Sequence, residues 1–223
     1  MISPKYSLTH YYFGTKTLLG ANHVPHVVNL YFDYNCPFSA RLYLKLYNSV
    51  IPDLQKKHPG RFQFIYVNVI QPWHVNSVLL NEFSLAYAKL LREKYKGDDD
   101  KDEQELFWKF SKVVFENREH FYDTSNIDLT RNEVYEQIYA VVSQNLDLGV
   151  EKDKLLSELV IRKSKEPSNE GNGATADVKY FTKYLRNTGI HVTPTVVIDG
   201  IVEDTISSGA SEHDLVKAFE SKL

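Results

Sequence analysis

The chain has 223 residues, with 29 acidic and 26 basic side chains and a formal net charge of -3. This length fits one compact domain or one domain with an insertion, and the even charge balance argues against a general nucleic-acid binder. A single cysteine excludes an internal disulfide and a zinc site built from several thiolates. We expect no nucleic-acid partner, no metal and, because no apolar run approaches the roughly 20 residues that cross a bilayer, no membrane span.

The first predicted elements form an α/β unit. Residues 26–34 are a nearly continuous apolar run, typical of a strand covered on both faces. Directly after it, Leu42, Leu46 and Val50 recur every four positions, which predicts a helix. A second strand at 61–70 completes a strand, helix, strand crossover, so we expect the two strands to be parallel.

The middle of the chain predicts a helical block from residue 76 to about residue 165. Acidic or turn-rich breaks at 97–103 and 123–130 separate its helices. The polar stretch 164–173 is interpreted as a surface loop. The last helix of the block is predicted from the spacing of Leu155, Leu159 and Arg162.

The C-terminal part returns to mixed structure. A helix is predicted at 174–189, with Gly189 as its stop. A β-branched strand follows at 191–200, and its turn leads to Ile201–Val202 as a hairpin partner. A terminal helix is predicted over 211–223.

Cys36 lies at the junction between the first strand and the first helix. Unpaired N–H groups and the positive end of the helix dipole favour a thiolate there. Pro37 suits the first helical turn, and Ser39 has a hydroxyl that could donate to the sulfur but cannot form a disulfide. The alternative is a small buried apolar residue, the usual role of a free cysteine. The position at the start of a helix favours a nucleophile.

The run Val192-Thr193-Pro194-Thr195 is the second informative element. A proline in a central strand removes a hydrogen-bond donor, so it marks either an ordinary strand start or a special bond. A cis bond between Thr193 and Pro194 would expose the Thr193 backbone to a ligand. The alternative is a trans bond at an ordinary strand start, and the sequence does not favour one over the other.

The motifs follow one another along the chain in a fixed order. CPFS stands at a helix start, a helical insertion follows, and VTPT then precedes a hairpin and a terminal helix. With this order the chain resembles the thioredoxin superfamily and, within it, the DsbA-like branch. Kappa-class glutathione transferases, 2-hydroxychromene-2-carboxylate isomerases and a set of fungal thioredoxin-fold proteins are similar. The resemblance implies an α/β thioredoxin fold at 1–73 and 174–223, with an inserted all-helical domain and linker at 74–173.

The resemblance also implies roles for the motif residues. Cys36 would be the attacking thiolate, Pro194 a cis-proline facing it, and Thr193 the partner of a glutathione or peptide backbone. Ser39 replaces the second cysteine of dithiol members and is retained as a catalytic candidate. Glutathione is the expected cofactor, because monothiol exchange takes its second thiol from solution.

Other candidate residues surround this motif. Trp73 and His74 either roof the Cys36 site or pack at the domain junction. Ser208 and Gly209 precede the terminal helix, where a helix cap is favoured and binding of the γ-glutamyl carboxylate of glutathione is the alternative from the resemblance. The remaining binding candidates, the last two of them secondary, are Pro37, Phe38, Asp33 and Tyr34.

These features predict a monothiol, glutathione-linked thiol-disulfide oxidoreductase or glutathione transferase that acts on a small-molecule thiol or disulfide. The alternatives are a catalytically silent binding module and a glutathione-dependent isomerase of a small aromatic acid. A homodimer is left open.

The last three residues, Ser221, Lys222 and Leu223, match the peroxisomal address Ser-Lys-Leu. We therefore expect binding to the peroxisomal import receptor and a peroxisomal location. If Leu223 packs against the terminal helix face instead, the tail is buried and a cytoplasmic location is expected.

Overall fold

The computed structural model describes residues 1–12, 24–95 and 105–223. The predicted break at 97–103 therefore lies outside the described residues. The strands are β1 His26–Phe32, β2 Phe62–Asn68, β3 Thr195–Ile198 and β4 Ile201–Val202. The helices are α1 Ser7–His10, α2 Pro37–Lys45, α3 Ile51–Lys57, α4 Ser77–Lys94, α5 Leu106–Glu116, α6 Arg131–Ser143, α7 Lys152–Ser157, α8 Thr175–Thr188 and α9 Glu212–Glu220.

The four strands form one sheet in the order β2-β1-β3-β4. β1 is parallel to β2, with Leu30 opposite Tyr66, as the crossover predicts. β3 runs antiparallel to β1, with Val196 opposite Leu30, and β4 closes the predicted hairpin. The α/β class is confirmed.

Helices cover both faces of β1, which explains its nearly continuous apolar run. On one face Phe32 packs edge-on against Tyr43 of α2, with ring centroids 5.6 Å apart. On the other face Tyr31 stacks on Tyr184 of α8, with centroids 6.3 Å apart. The alternation of side chains along the strand thus places Leu30 with Phe32, and Asn29 with Tyr31.

The predicted helical block is present as α4 to α7. Thr130 caps α6 in a capping box with Glu133, which accounts for the end of the predicted break at 123–130. The prediction for the last helix is wrong in its second half, because α7 ends at Ser157 and the chain leaves the helix before Leu159.

One hydrophobic core extends from the N-terminal segment to the terminal helix, through the sheet and the helical block. It contains Leu30 of β1, Phe83 of α4, Phe110 of α5 and Phe219 of α9, all buried. The division into domains at residues 73 and 174 remains a prediction.

Residues 1–12 add an N-terminal segment that no sequence pattern predicted. Tyr11 bridges Ile65 in antiparallel fashion, and the Tyr12 N–H donates to the Phe64 carbonyl at 2.9 Å. The segment therefore covers the outer edge of β2, where an uncovered strand would present unpaired backbone groups.

Candidate active site

Cys36 lies at the N-terminus of α2, as the sequence predicts. Its backbone is extended, with φ -82° and ψ 119°, and Pro37 opens the nine-residue helix. The Cys36 carbonyl accepts the Ala40 N–H at 3.1 Å, and the Cys36 N–H donates to the Asp33 carbonyl at 3.1 Å. Cys36 is buried, with 4% of the residue exposed.

Thr193 and Pro194 face Cys36 from the start of β3. The peptide bond between them is cis and not trans. The Cys36 thiol donates to the Thr193 carbonyl, with 3.4 Å between sulfur and oxygen. Among the described residues, the Thr193 N–H has no hydrogen-bond partner. A ligand backbone at this position would find a vacant donor beside the sulfur.

The carboxylate of Asp33 is fully buried and supports the turn that carries Cys36. Its Oδ1 accepts from the Ser77 hydroxyl at 2.7 Å and from the Asn35 N–H at 3.0 Å. Its backbone N–H donates to Ser39 Oγ at 3.3 Å. Within the described ranges no hydrogen bond joins Ser39 to the Cys36 sulfur. The structure therefore places Ser39 with the backbone of the turn, not with the thiol.

His74 completes this cluster. Its Nδ1–H donates to Asp33 Oδ2 at 2.5 Å, and the histidine side chain is 21% exposed. The hydrogen bond to Asp33 raises the pKa of His74 above its ordinary value, and burial opposes the rise. A protonated His74 offsets the negative charge of Asp33, which would otherwise act against a thiolate at Cys36. Through Asp33, His74 therefore belongs to the candidate site.

An open groove of about 270 Å³ lies beside Pro194. Phe38 and Val192 line it and are 53% and 62% exposed. Glu203 and Asp204 lie on its lining as well, and Glu203 is paired with Lys222. Exposed apolar side chains next to a thiol provide contact area for the apolar part of a substrate.

Trp73 extends the apolar surface near His74. Its side chain is 60% exposed, and its ring meets the His74 ring edge-on at 6.0 Å. The indole ring is thus largely open to solvent. Pro37 is exposed as well, at the start of α2.

Ser208 lies on the groove, but the expected cap at Ser208 and Gly209 is wrong. α9 begins later, and the hydroxyl oxygen of Ser211 caps it by accepting a backbone N–H of the first turn at 3.2 Å. The Ser208 carbonyl accepts from Lys45 Nζ at 3.1 Å, and Gly209 is exposed. Ser208 therefore remains a groove residue, whereas Gly209 is part of an exposed turn.

Tyr34 lies in the core. Its ring stacks on Tyr66 and Phe115, and its hydroxyl is 2.7 Å from Ser111 Oγ. Burial raises the pKa of Tyr34, so the phenol stays protonated. Tyr34 thus anchors the turn that carries Cys36 and does not face a substrate.

Several residues that position the site were not identified from the sequence. The Gln71 side-chain amide donates to the His191 carbonyl at 3.1 Å and ties the end of β2 to the Pro194 loop. The amides of Asn35 and Asn76 donate to the Phe121 carbonyl at 2.9 and 3.1 Å. Periodicity gives no signal for such residues, because they lie in turns.

The family model Thioredoxin_4, described as thioredoxin, matches residues 13–217. The chain belongs to the thioredoxin family. Its arrangement is that of the DsbA-like members, as the solved structures below show. No curated protein matches the chain.

Three solved structures resemble this thioredoxin-family chain. A candidate protein-disulfide isomerase from Pseudomonas syringae has a TM-score of 0.61 and 25% identity, over 87% of this chain and 93% of that chain. The thiol-disulfide exchange protein alpha-DsbA2 from Wolbachia pipientis has a TM-score of 0.54 and 15% identity, covering 96% and 87%. Oxidised BdbD from Bacillus subtilis has a TM-score of 0.53 and 21% identity, covering 91% and 90%.

In the part of the chain that the structure describes, no group of three or more His, Cys, Asp or Glu residues could hold a metal ion. No described helix combines the length and apolar character that crossing a membrane requires.

The tripeptide 221–223 continues the last turn of α9. Lys222 Nζ pairs with Glu203 Oε1 at 2.6 Å, and the Ser221 hydroxyl donates to the Ala218 carbonyl at 2.8 Å. Leu223 is 42% exposed and lies outside the core.

Proposed function

We propose that the protein is a monothiol, glutathione-linked thiol-disulfide oxidoreductase in which Cys36 is the attacking group. The observation that carries the proposal is the Cys36 sulfur at the start of α2, facing the backbone of Thr193. Membership of the thioredoxin family and the likeness to a candidate protein-disulfide isomerase support thiol-disulfide chemistry. The single cysteine makes any disulfide at this site intermolecular.

The reaction proceeds in two exchange steps. The Cys36 thiolate attacks the glutathione sulfur of a mixed disulfide, forms a bond to it, and expels the substrate as a thiolate. A second glutathione thiolate then attacks the glutathione sulfur of that adduct, releases the Cys36 thiolate and leaves as glutathione disulfide. One disulfide bond breaks and one forms overall: the substrate sulfur is reduced to a thiol, the incoming glutathione thiol is oxidised into glutathione disulfide, and no second protein thiol is needed.

The backbone near the sulfur supports this assignment. An incoming disulfide would displace the thiol hydrogen bond to the Thr193 carbonyl, and its own backbone would pair with the vacant Thr193 N–H. Phe38 and Val192 would contact the apolar part of the substrate. The small exposure of Cys36 favours slender disulfides that can reach the sulfur end-on.

The test is reduction of a glutathionylated peptide in the presence of glutathione, followed for wild type, Cys36→Ser and the matched control Ser39→Ala. We expect the activity of Cys36→Ser to fall to background, because hydroxyl cannot exchange with disulfides. Ser39→Ala should retain most of the rate, since Ser39 contacts the Asp33 backbone. Full activity of Cys36→Ser would overturn the proposal.

Alkylation of Cys36 by iodoacetamide across pH separates the proposed enzyme from a silent binding module. Half-maximal reactivity well below pH about 7 is expected for the enzyme, and a value near about 8.5 or above indicates the silent module. Glutathione binding without disulfide exchange would indicate a transferase or an isomerase instead.

We also propose peroxisomal import through 221–223, an address that operates only where residue 223 ends the protein. The exposed Leu223 supports the proposal, and the pairing of Lys222 with Glu203 must open for a receptor to bind. A tagged copy should lose its punctate location when 221–223 are deleted. Unchanged puncta would contradict the proposal. A homodimer stays a prediction.

A further inference from the structure

A second cavity, called here the rear cavity, lies between the sheet and the C-terminal half of α8. Its volume is about 490 Å³, within the range of small-molecule sites. It is lined by Met1, Val27, Asn29, Tyr31, Tyr184, Thr188, Ile190, Val197, Asp199, Gly200 and Val202. Val27, Asn29 and Tyr31 alternate along β1, so they share the sheet face that lies away from α2. The rear cavity is thus separate from Cys36.

Asn29 is a buried amide on the floor of the rear cavity. The residue is 5% exposed, and its Oδ1 has no hydrogen-bond partner. Among the described residues its Nδ2 has none either. Buried amides are nearly always hydrogen-bonded, because leaving a donor or acceptor unpaired destabilises the fold. Its Oδ1 atom is closed off from solvent, so the Nδ2 amino group is the part of Asn29 that a molecule in the cavity can reach.

The charges around the rear cavity indicate an uncharged ligand. Among the described residues that line the cavity, Asp199 has the only charged side chain, and it already accepts from His26 Nδ1 at 2.6 Å and from the Val27 N–H at 2.8 Å. None of these lining residues has a cationic side chain that would balance a carboxylate or phosphate. Asp199 therefore favours an uncharged ligand over an anion.

The walls favour a flat ligand. The rings of Tyr31 and Tyr184 are nearly parallel, with an angle of 9° between their planes, and they form one side of the cavity. Val27, Val197 and Ile190 supply aliphatic contacts. A planar ring can lie against the two tyrosine rings, where aromatic contacts add to the burial of apolar area.

We propose that the rear cavity binds a small uncharged aromatic carbonyl compound, whose C=O accepts a hydrogen bond from Nδ2 of Asn29. A carbonyl oxygen only accepts hydrogen bonds, so it matches a site whose reachable polar group is an amide N–H donor. The site is independent of thiol chemistry and of the function proposed for Cys36.

The probe is benzamide, titrated into the isotope-labelled full chain and followed by amide chemical shifts, with benzoate as the isosteric anion. We expect saturable shifts at Val27, Asn29, Tyr31, Tyr184 and Val197, and at least tenfold weaker binding of benzoate. Absence of saturable shifts there, equal binding of benzoate, or shifts confined to the Cys36 groove would overturn the proposal.

The variant Asn29→Leu replaces the amide with an apolar side chain of similar size. It should weaken benzamide binding at least tenfold and raise the melting temperature, because the unpaired polar group is gone. Equal benzamide affinity in the variant would overturn the role of Asn29. Should Asn29→Leu fail to fold, the comparison of benzamide with benzoate on wild type decides the proposal alone.

Discussion

At the scale of single residues, Asp33 organises the candidate site. Its backbone carbonyl accepts the Cys36 N–H, and its backbone N–H donates to Ser39. Its carboxylate accepts hydrogen bonds from Ser77 and His74. A fully buried carboxylate is unfavourable unless it is paired. Its partners therefore determine both the geometry of the turn and the charge close to the sulfur.

The variant His74→Gln tests this pairing through pH. The pKa of His74 is raised in the folded protein, so its contribution to stability is fully present below about pH 6.5 and is lost as the pH rises through the folded value. We expect the variant to be less stable by about 1–2 kcal/mol at pH about 5.5, the size of a hydrogen bond to a charged group. Urea unfolding of both proteins between pH about 5.5 and about 9 measures the difference, which should shrink as the pH rises.

Titration of the His74 imidazole by NMR provides the independent check, because it reads the raised pKa without unfolding the protein. A stability difference that grows with pH would contradict the assignment.

At the scale of elements, a buried chain of polar side chains joins α1, β2 and α4. Burial lowers the pKa of His10 to about 3, so its neutral ring donates from Nε2 to Asn68 Oδ1 at 2.9 Å. The Asn68 amide donates to Asn81 Oδ1 and Ser84 Oγ at 2.8 and 2.9 Å. Asn81 donates in turn to the carbonyl of Ser77, whose hydroxyl bonds to the Asp33 carboxylate of the Cys36 turn.

Asn68→Ala should remove the centre of this chain and leave His10 and Asn81 without partners. Each buried group that loses its hydrogen bond destabilises a protein by about 1–3 kcal/mol, so we expect a total loss of about 3 kcal/mol in the free energy of unfolding. Urea denaturation measures it. Asn145→Ala is the matched control, since that amide bonds to the Val141 carbonyl on an exposed turn and should change stability by less than about 0.5 kcal/mol.

The end of α8 sets the direction of the loop that carries Pro194. Gly189 caps the helix in the left-handed region, with φ 69° and ψ 19°, and its N–H donates to the Leu185 carbonyl. Gly189→Ala should lower the free energy of unfolding by about 1 kcal/mol, because a Cβ disfavours this backbone conformation even where space is open.

Gly209→Ala is the control for Gly189→Ala in thermal or urea unfolding. Gly209 does not adopt a positive φ, and an added Cβ would meet Ser207 Oγ at an ordinary 3.8 Å. The free energy of unfolding of Gly209→Ala should stay within about 0.5 kcal/mol of the wild-type value. Equal losses in the two variants would rule out the left-handed backbone as the cause.

At the scale of the whole molecule, Asp177 joins three distant segments. Its carboxylate, buried on α8, accepts from Lys5 at 2.7 Å and Tyr6 at 2.8 Å in the N-terminal segment, and it pairs with Arg92 of α4 at 3.4 Å. Burial raises the pKa of Asp177, but the hydrogen bonds from Lys5 and Tyr6 outweigh it and hold the pKa below its ordinary value.

Asp177→Asn should therefore destabilise the protein at neutral pH by about 2 kcal/mol, less than for a fully buried pair because Lys5 is half exposed. This contribution is present above the unfolded pKa of about 3.9 and is lost as the pH falls through the lower folded value. Urea unfolding from pH about 7 to about 3 should show the two proteins converging in acid.

Asp53→Asn is the control for Asp177→Asn, because Asp53 pairs with Lys57 on an exposed helix face. Asp53→Asn should lower the free energy of unfolding by less than about 0.5 kcal/mol at any of these pH values. A pH-independent loss in Asp177→Asn would indicate a packing defect instead of a lost charge.

Local patterns predicted most of the elements. The apolar run of β1, the four-residue period that begins in α2 and the glycine stop of α8 all follow from side-chain chemistry within one segment. The end of α7 was misplaced, because Leu159 is buried by tertiary packing after the helix has ended and its periodicity was misleading. The N-terminal segment gave no signal, since its contacts with β2 are long-range.

The amino-acid sequence by itself determined the family, the position of Cys36 at the start of a helix and the presence of Ser39 in place of a second thiol, because each depends on short motifs in a recognisable order. Only the tertiary structure decided that Ser39 contacts the Asp33 backbone, that His74 pairs with Asp33, and that Asn29 lies unpaired in the rear cavity. Hydrogen bonds and cavities between distant segments depend on how elements pack, and no local pattern records them.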